Sequence, residues 1–190
     1  MDKWKTLDSN YLFQTPFGHL RKDTCELPDG KVIDDYYVHE YSDWVNAVVL
    51  TKENKLVLVE QYRHAGEDFY LEIPAGKTEK DESAEEGILR EVREETGFIS
   101  KHRPVKLGDF MVNPATQNNR IKTYLILDAY REYEQDLDET EEVKVVLLDF
   151  EKMGSLIGGC EINTQLFTAH AYFMAKVYLL EHSGGSFTYK

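Results

Sequence analysis

The sequence predicts an α/β or α+β fold in which helices pack against a mixed β-sheet, with a small β lobe at the amino-terminal end. Three patterns predict this fold: β-rich runs separated by turns, a helical segment between strands at residues 82–96, and a final amphipathic helix at residues 163–180. A chain of 190 residues is long enough for one domain with an appended lobe. We expect the lobe at residues 1–44 and the main domain at residues 45–190.

The amino-terminal region is predicted to consist of short strands joined by turns. Pro16 and the Pro28-Asp29-Gly30 sequence are turn signals, and the β-rich residues 31–40 follow them. Two further β-rich runs, at residues 44–50 and 55–61, are separated by a short polar stretch. This arrangement predicts a hairpin that enters the core sheet.

The helix predicted at residues 82–96 has a recognisable start and end. Ser83 and Glu86 are spaced for a capping box, in which each side chain accepts a hydrogen bond from the backbone N–H of the other. Gly97 suits the left-handed conformation that ends many helices. The apolar stripe of the helix consists of Ile88, Leu89 and Val92.

The remaining elements are predicted from alternation and from helical spacing. Strands are expected at residues 69–73, 105–112, 121–127 and 143–150. In the last strand the alternation predicts one buried face, formed by Val143, Val145 and Leu147. In the final helix the predicted buried stripe is Leu166, Ala169, Phe173, Val177 and Leu180.

Composition and charge limit the partners and the location. The formal net charge is −13, with 35 acidic and 22 basic residues, so the chain lacks the basic footprint that nucleic acid requires. No apolar run approaches the roughly 18–20 residues that span a bilayer, and the first residues lack the apolar stretch of a signal peptide. Cys25 and Cys160 lie far apart, outside any CxxC pair, which predicts free thiols and a cytoplasmic location. We therefore expect no nucleic-acid partner and no membrane partner.

Three acidic residues of the predicted helix lie on one face. Glu91, Glu94 and Glu95 occupy positions i, i+3 and i+4, and like charges at this spacing destabilise an isolated helix by roughly a few tenths of a kcal/mol per pair. Magnesium and other hard divalent cations prefer oxygen ligands of this kind. The triplet by itself fits either a solvated acidic surface or a metal site, so its setting in the chain decides between them.

The setting is a motif of 23 residues that reads Gly76-x5-Glu82-x7-Arg90-Glu91-Val92-x-Glu94-Glu95-x-Gly97-Phe98. All nine of its defined positions match the Nudix box, so the chain resembles the Nudix hydrolase superfamily. The resemblance implies an α/β/α sandwich around a mixed sheet and a bound Mg²⁺, with Mn²⁺ as a substitute. It implies metal ligation by Glu91 and Glu95, with Glu94 nearby and the Ala75 carbonyl as a further ligand. The residues implied to hold the shape of the motif are Gly76, Glu82, Arg90 and Gly97.

Features outside the box resemble the ADP-ribose pyrophosphatase branch, which acts on nucleoside-diphosphate sugars. The Glu72-Ile73-Pro74-Ala75-Gly76 sequence resembles a segment common in that branch, and Pro114 lies sixteen positions after Phe98, where the branch carries a marker proline. Residues 1–44 resemble its extra amino-terminal β lobe. However, residues 113–120 lack the Ser-Pro-Gly sequence and following acidic residue that the family often has. Because of this departure, hydrolysis of GDP-mannose or of a broader range of nucleotide sugars remains an alternative to hydrolysis of ADP-ribose.

The resemblance also implies contacts with the substrate. Arg63, in the Gln61-Tyr62-Arg63-His64 sequence, matches a residue that contacts the substrate phosphate, a role that suits a guanidinium group. We assign Glu72 and Pro114 to the same substrate-binding set. The lobe is shared across a homodimer in related enzymes, so we expect a homodimer here. The aromatic residues of the lobe that are available for stacking on the nucleobase are Phe17, Tyr36, Tyr37 and Trp44.

In this branch the catalytic base comes from a mobile acidic loop, which matches residues 136–143 here, with the acidic residues at 136–142. We assign Glu139 as the general base and Glu141 as an additional metal ligand. Alternation in an extended segment would place both side chains on the same side. A register shifted to Glu142 remains open, and so does a base on the box helix, with Glu94 the first candidate.

The predicted activity is metal-dependent hydrolysis of the pyrophosphate bond of a nucleoside-diphosphate sugar, which yields AMP and ribose 5-phosphate from ADP-ribose. Two other functions are alternatives: a catalytically silent nucleotide sensor, and a hydrolase of dinucleoside polyphosphates or RNA caps. The retained box carboxylates disfavour the sensor. The acidic charge and the amino-terminal lobe disfavour the cap hydrolase.

Overall fold

The computed structural model describes residues 2–182, and that part contains eleven β-strands and three α-helices. The strands are β1 (Lys5–Thr15), β2 (Gly18–Glu26), β3 (Val32–Glu40), β4 (Trp44–Thr51), β5 (Lys55–Arg63), β6 (Asp68–Glu72), β7 (Ala75–Lys77), β8 (Phe98–Ile99), β9 (Val105–Met111), β10 (Arg120–Arg131) and β11 (Val143–Asp149). The helices are α1 (Ala84–Thr96), α2 (Phe150–Gly158) and α3 (Leu166–His182).

The strands of the described chain form two sheets. Strands β1, β2 and β3 make a three-stranded antiparallel sheet in that order. The second sheet has eight strands with the order β11-β5-β4-β10-β8, while β6 pairs with β5, β7 with β4 and β9 with β10. The predicted hairpin is confirmed, because β4 and β5 are antiparallel with Val49 opposite Val57.

The chain divides into two compact units, one of Met1–Trp44 with Phe110–Ile121 and one of Val45–Asp109 with Lys122–Lys190. Hydrogen bonds explain why the second segment of the first unit belongs there. The His39 N–H donates to the Thr116 carbonyl at 2.7 Å, and the Tyr36 hydroxyl donates to the Ala115 carbonyl at 2.7 Å. The division of roles between residues 1–44 and 45–190 stays a prediction.

The strands of the first unit are longer than the sequence predicts. They have 11, 9 and 9 residues, so the expectation of short strands is wrong. The pairing of β1 with β2 shifts register at two places, and β1 continues through both of these irregularities. The turn at residues 27–31 does end β2, and the Leu27 N–H donates there to the Lys31 carbonyl at 2.8 Å.

Helices cover both faces of the sheet in the second unit. On one face α2 and α3 pack over a buried cluster that includes Leu56, Leu58, Leu125, Met153 and Tyr172. On the other face α1 packs over a cluster that includes Val45, Val57, Ile88, Val92 and Ile126. Each such side chain contributes about 1.5–3 kcal/mol by leaving water. The predicted α/β/α sandwich around a mixed sheet is therefore confirmed.

Two strand predictions need correction at β11. Leu147 is 51% exposed, whereas Val145 packs toward the α1 cluster and Val146 toward the α2–α3 cluster. The expectation of one buried face that includes Leu147 is wrong, because helices cover both faces of the sheet and β11 lies at the end of the strand order. Phe150, expected at the end of this strand, instead begins α2, a helix that the sequence patterns did not indicate.

The predicted buried stripe of the last helix is also wrong. Leu166, Phe173 and Val177 are 77%, 46% and 47% exposed. Apolar residues occur on every side of α3, so helical spacing alone does not identify the buried face. The residues of α3 that are buried are Thr168, Ala171, Tyr172 and Ala175. No helix in the described chain is both long and apolar enough to cross a membrane.

Candidate active site

Helix α1, which carries the three glutamates, begins and ends as predicted. Ser83 Oγ accepts a hydrogen bond from the Glu86 N–H at 3.2 Å, and Glu86 Oε2 accepts one from the Ser83 N–H at 2.9 Å. Gly97 has φ +73°, and its N–H donates to the Arg93 carbonyl at 2.8 Å. A Cβ at Gly97 would overlap the Tyr133 carbonyl oxygen. The capping box and the left-handed terminator are therefore confirmed.

Glu91 and Glu95 are carboxylates largely shielded from water. Glu95 is 6% exposed, and the Glu91 side chain is 16% exposed. Burial raises the pKa of Glu95 to about 8, the Ala75 N–H lowers it through a 3.1 Å hydrogen bond, and the charges of Glu91 and Glu141 raise it further. Burial also raises the pKa of Glu91 above its ordinary value. Carboxylates held in this way favour a cation beside them.

Arg90 is the centre of an ion-pair network on α1. Its Nε donates to Glu82 at 3.0 Å, and its Nη1 donates to Glu91 and to Glu94, both at 3.0 Å. The hydrogen bond to Glu82 is the largest cause that raises the pKa of the Arg90 guanidinium. Glu94 also accepts a hydrogen bond from Arg93 at 3.0 Å, so two guanidinium groups hold it. The network joins the loop to the helix, in keeping with the role assigned to Glu82 and Arg90.

The backbone at residues 75–76 contacts both buried carboxylates. A Cβ on Gly76 would overlap the carboxylate group of Glu91, so only glycine lets the chain pass this close. Ala75 donates its N–H to Glu95 Oε2 at 3.1 Å. The structure thus shows the N–H of Ala75 in contact with the box helix, and metal ligation by its carbonyl stays a prediction.

Glu72 is buried, with 3% exposure, and its two carboxylate oxygens accept four hydrogen bonds. Arg63 donates from Nε at 3.0 Å and from Nη2 at 2.5 Å, while Gln165 donates at 2.6 Å and Gln61 at 3.3 Å. Little acceptor capacity remains for a direct substrate contact. The geometry therefore makes Glu72 the residue that orients the Arg63 guanidinium. Gln61 and Gln165 had no predicted role, and Gln165 lies 93 positions after Glu72, a distance at which sequence patterns give no signal.

Arg63 interacts electrostatically with the box helix and with the acidic segment. Its pKa is raised first by the hydrogen bond to Glu72 and also by the charges of Glu95 and Glu141. Its side chain is 43% exposed, so an anion can reach the guanidinium from solvent. Arg63, Glu91, Glu95 and Glu141 thus interact electrostatically as one group, which we term the charged centre.

The acidic segment at residues 136–142 contains a turn at residues 138–141. The Glu141 N–H donates to the Asp138 carbonyl at 2.9 Å, and the Asp138 N–H donates to Glu141 Oε2 at 3.1 Å. The expectation of an extended segment is wrong, because these two bonds close the chain on itself. Glu139 and Glu141 are both exposed. Glu141 belongs to the charged centre, whereas Glu139 makes no hydrogen bond or ion pair with any described residue. The role of each stays a prediction.

The residues predicted to bind the nucleobase lie in the first unit. Phe17 and Tyr37 are 80% and 46% exposed, and Pro114 is exposed as well. Tyr36 and Trp44 make ring contacts, with centroids 5.9 Å from Trp4 and 6.0 Å from Tyr41 respectively. The charged centre lies in the second unit. Base stacking by these residues therefore stays a prediction.

The donor chemistry of the charged centre suits a hard divalent cation. Its three carboxylates offer oxygen ligands, and two of them are shielded from water. Across residues 2–182, no group of three or more His, Cys, Asp or Glu side chains has the arrangement of a formed metal site. The Glu91 carboxylate accepts a hydrogen bond from Arg90 instead. The carboxylates are suitable ligands for a cation, but in this structure Glu91 is hydrogen-bonded to Arg90.

Most of the sequence matches known proteins. The family model described as the NUDIX domain matches residues 41–169, more than half of the chain. The chain belongs to the NUDIX family. A second model, described as the nucleoside diphosphate sugar hydrolase N-terminal domain, matches residues 4–39 of this NUDIX protein. The resemblance inferred from the box is confirmed, and so is the prediction of an enzyme, a NUDIX pyrophosphohydrolase.

Individual relatives agree with this family. The ADP-ribose pyrophosphatase of Bacillus subtilis (strain 168) is 31% identical over 159 residues, which cover 83% of this NUDIX chain and 85% of the relative. The methanol dehydrogenase activator of Bacillus methanolicus is 33% identical over 149 residues, which cover 78% and 80%. A crystal structure of an ADP compounds hydrolase superposes with a TM-score of 0.82 at 19% identity, covering 98% of each chain. This last likeness shows the fold alone.

Proposed function

We propose that this NUDIX enzyme hydrolyses the pyrophosphate bond of a nucleoside-diphosphate sugar, with ADP-ribose preferred and AMP and ribose 5-phosphate as products. The charged centre carries the proposal. Arg63, a cation suited to phosphate, interacts electrostatically with Glu95 and Glu141, and Glu91 interacts with both of these carboxylates, whose oxygen atoms suit a metal. The match to the nucleoside diphosphate sugar hydrolase N-terminal domain and the ADP-ribose pyrophosphatase relative support the substrate class.

We assign Mg²⁺ binding to Glu91 and Glu95, with Glu141 and the Ala75 carbonyl as further ligands and Mn²⁺ as a substitute. When bound, the cation supplies Lewis-acid activation and neutralises charge on the diphosphate. Arg63, held in place by Glu72, binds a phosphate oxygen. The chain carries a net charge of −13, which repels an anionic substrate. The positive charges of Arg63 and of the bound cation would offset this repulsion at the site.

We assign Glu139 as the general base that accepts the proton of the attacking water. It is exposed in the turn, two residues from Glu141 of the charged centre. Glu142 is the alternative if the register is shifted. Glu94 is a weaker alternative, because Arg90 and Arg93 both hold its carboxylate.

We assign nucleobase binding and homodimer formation to the first unit, with Phe17 and Tyr37 stacking on the base and Pro114 beside it. Strand β1 supports a dimer, because all 11 of its residues are exposed and it lies at the edge of its sheet. An exposed edge strand with apolar side chains such as Leu12 and Phe13 is suited to contact with a second chain. Light scattering should report twice the 22.1 kDa chain mass, and a monomer at micromolar concentration would contradict the dimer.

We also propose a cytoplasmic location. Cys25 is buried, Cys160 is exposed, and both are free thiols. Free thiols are typical of a reducing compartment. Fractionation of the producing cells with immunoblotting tests the location, and recovery of the protein outside the cytoplasm would contradict it.

A panel of substrates tests the proposed reaction. The purified protein with Mg²⁺ is given ADP-ribose, GDP-mannose, UDP-glucose, NADH and diadenosine polyphosphates, and products are identified for each. We expect the highest kcat/KM with ADP-ribose, releasing AMP and ribose 5-phosphate. GDP-mannose is the second candidate, because residues 113–120 depart from the family sequence. Hydrolysis of diadenosine polyphosphates alone would contradict the proposal.

A further inference from the structure

Gln135 joins the end of α1 to the start of β11. Its side-chain Nε2 donates to the Glu95 carbonyl at 2.7 Å and to the Val143 carbonyl at 3.0 Å. Gln135 directly precedes the acidic segment at residues 136–142, and Val143 directly follows it. One amide group therefore ties the two ends of the segment to each other and to the box helix.

Backbone bonds reinforce this attachment at the end of α1. The Asp136 N–H donates to the Glu94 carbonyl at 2.9 Å, and the N–H groups of Glu132 and Tyr133 donate to the Gly97 carbonyl at 3.0 and 3.1 Å. The last carbonyls of a helix have no partner within it and need one from elsewhere. Here the chain that leads into the acidic segment, together with its first residue Asp136, supplies the partners.

The attachment opposes electrostatic repulsion. The segment at residues 136–142 has five carboxylates in seven residues, and it ends next to a helix face that carries three more. Glu141 lies two residues before Val143, whose carbonyl shares the Gln135 amide with the carbonyl of Glu95, so the repulsion acts where the segment meets α1. A neutral amide can hold the segment in place without adding charge to the site.

We propose that Gln135 is a positioning residue, which holds Glu141 at the charged centre and thereby sets the affinity for the divalent cation. The inference rests on the proposed function, since it takes Glu91, Glu95 and Glu141 as cation ligands. Loss of a group that supports metal ligands typically costs about 10–100-fold in metal affinity or activity. Loss of the Gln135 amide should therefore raise the Mg²⁺ requirement and leave the substrate KM at saturating metal nearly unchanged.

The test compares Gln135→Met, which keeps the length of the side chain and removes the donor, with the control Glu134→Gln. Glu134 is the neighbouring residue, and its side chain is 93% exposed in a surface pair with Arg131. Mn²⁺ binding is measured by calorimetry without substrate, and metal-free protein is digested with a glutamate-specific protease. We expect the Mn²⁺ Kd of Gln135→Met to rise about 10-fold or more. We also expect faster cleavage within residues 136–142, with the control unchanged.

Further variants make the outcome decisive. Gln135→Asn keeps an amide with a shorter reach and should shift both readouts in the same direction, which covers the case in which the Met variant does not fold. Combined with Glu141→Gln, the Gln135 substitution should add little further loss of Mn²⁺ affinity, because both act on one ligand.

Fully additive losses, or wild-type Mn²⁺ affinity and cleavage in both Gln135 variants, would overturn the inference. A protein that binds Mn²⁺ in this pattern but hydrolyses no nucleotide sugar would refute the proposed function and leave the inference standing.

Discussion

Glu95 differs from most acidic residues of the chain, because its carboxylate is almost fully removed from water. Its pKa rises from 4.5 to about 8, chiefly by burial, with the charges of Glu91 and Glu141 in addition. Between these two pH values the metal-free folded protein holds a proton at Glu95 that the unfolded chain releases. A group with a raised carboxyl pKa therefore stabilises the fold fully at low pH and progressively less as the pH rises through its folded pKa.

The first prediction follows from the direction in which this stabilisation changes with pH. The free energy of unfolding of metal-free wild-type protein should fall between pH 4.5 and about 8, and Glu95→Gln should lack that part of the fall. The variant should equal or exceed the wild type in stability above pH 8. Denaturant unfolding in the presence of a chelator, repeated across this pH range, measures the difference. Parallel pH profiles for the two proteins would show that Glu95 titrates normally.

The second prediction concerns Gly76, where the backbone passes the Glu91 carboxylate. Gly76→Ala should displace this carboxylate and lower turnover by about 10–100-fold, because a Cβ has no room beside it. Gly158→Ala is the matched control, since a Cβ at that position meets nothing within 4 Å. Steady-state kinetics at saturating Mg²⁺ measure both variants. Equal turnover in the two would mean that the close approach at Gly76 has no part in the reaction.

At the scale of elements, the sequence predicts structure well where the signals are local. The bounds of α1 follow from Ser83 and Gly97, which act on the nearest turn of the helix. The buried face of α3 depends instead on which side meets the sheet, and apolar residues on all sides conceal it. Leu147 is exposed for a related reason, because its position at the sheet edge is a property of the assembled sheet.

The third prediction separates the roles within the acidic segment at residues 136–142. Glu141→Gln should raise the Mg²⁺ requirement and recover with excess metal, because it removes a ligand at the charged centre. Glu139→Gln should lower kcat by about 10²–10⁴-fold with little change in KM, as expected for a general base. Glu142→Gln, at the alternative position for the base, should stay active. Turnover against Mg²⁺ for the three variants measures these effects, and loss of turnover in Glu142→Gln alone would place the base at residue 142.

At the scale of the whole molecule, the site combines a local motif with contacts between distant parts of the chain. The box predicts the grouping of Glu91, Glu94, Glu95 and Arg90, because these residues share one helix. Glu72, which holds Arg63, also accepts a hydrogen bond from Gln165, which lies 93 positions later in the chain. No spacing in the sequence indicates this contact. The role of Gln135 could not be predicted for the same reason, because both of its hydrogen-bond acceptors are backbone carbonyls of other elements.

The central claim is that the buried carboxylates of α1 support metal-dependent hydrolysis of a nucleotide sugar, and the most direct measurement is turnover of ADP-ribose by wild type, Glu95→Gln and Glu85→Gln at saturating Mg²⁺. Glu85 is the matched control, because it lies on the same helix and pairs at the surface with Arg103 at 2.8 Å. We predict release of AMP and ribose 5-phosphate by wild type and Glu85→Gln. Turnover by Glu95→Gln should fall about 100-fold or more, since a metal ligand is lost. Near-wild-type turnover by a folded Glu95→Gln protein would contradict the account.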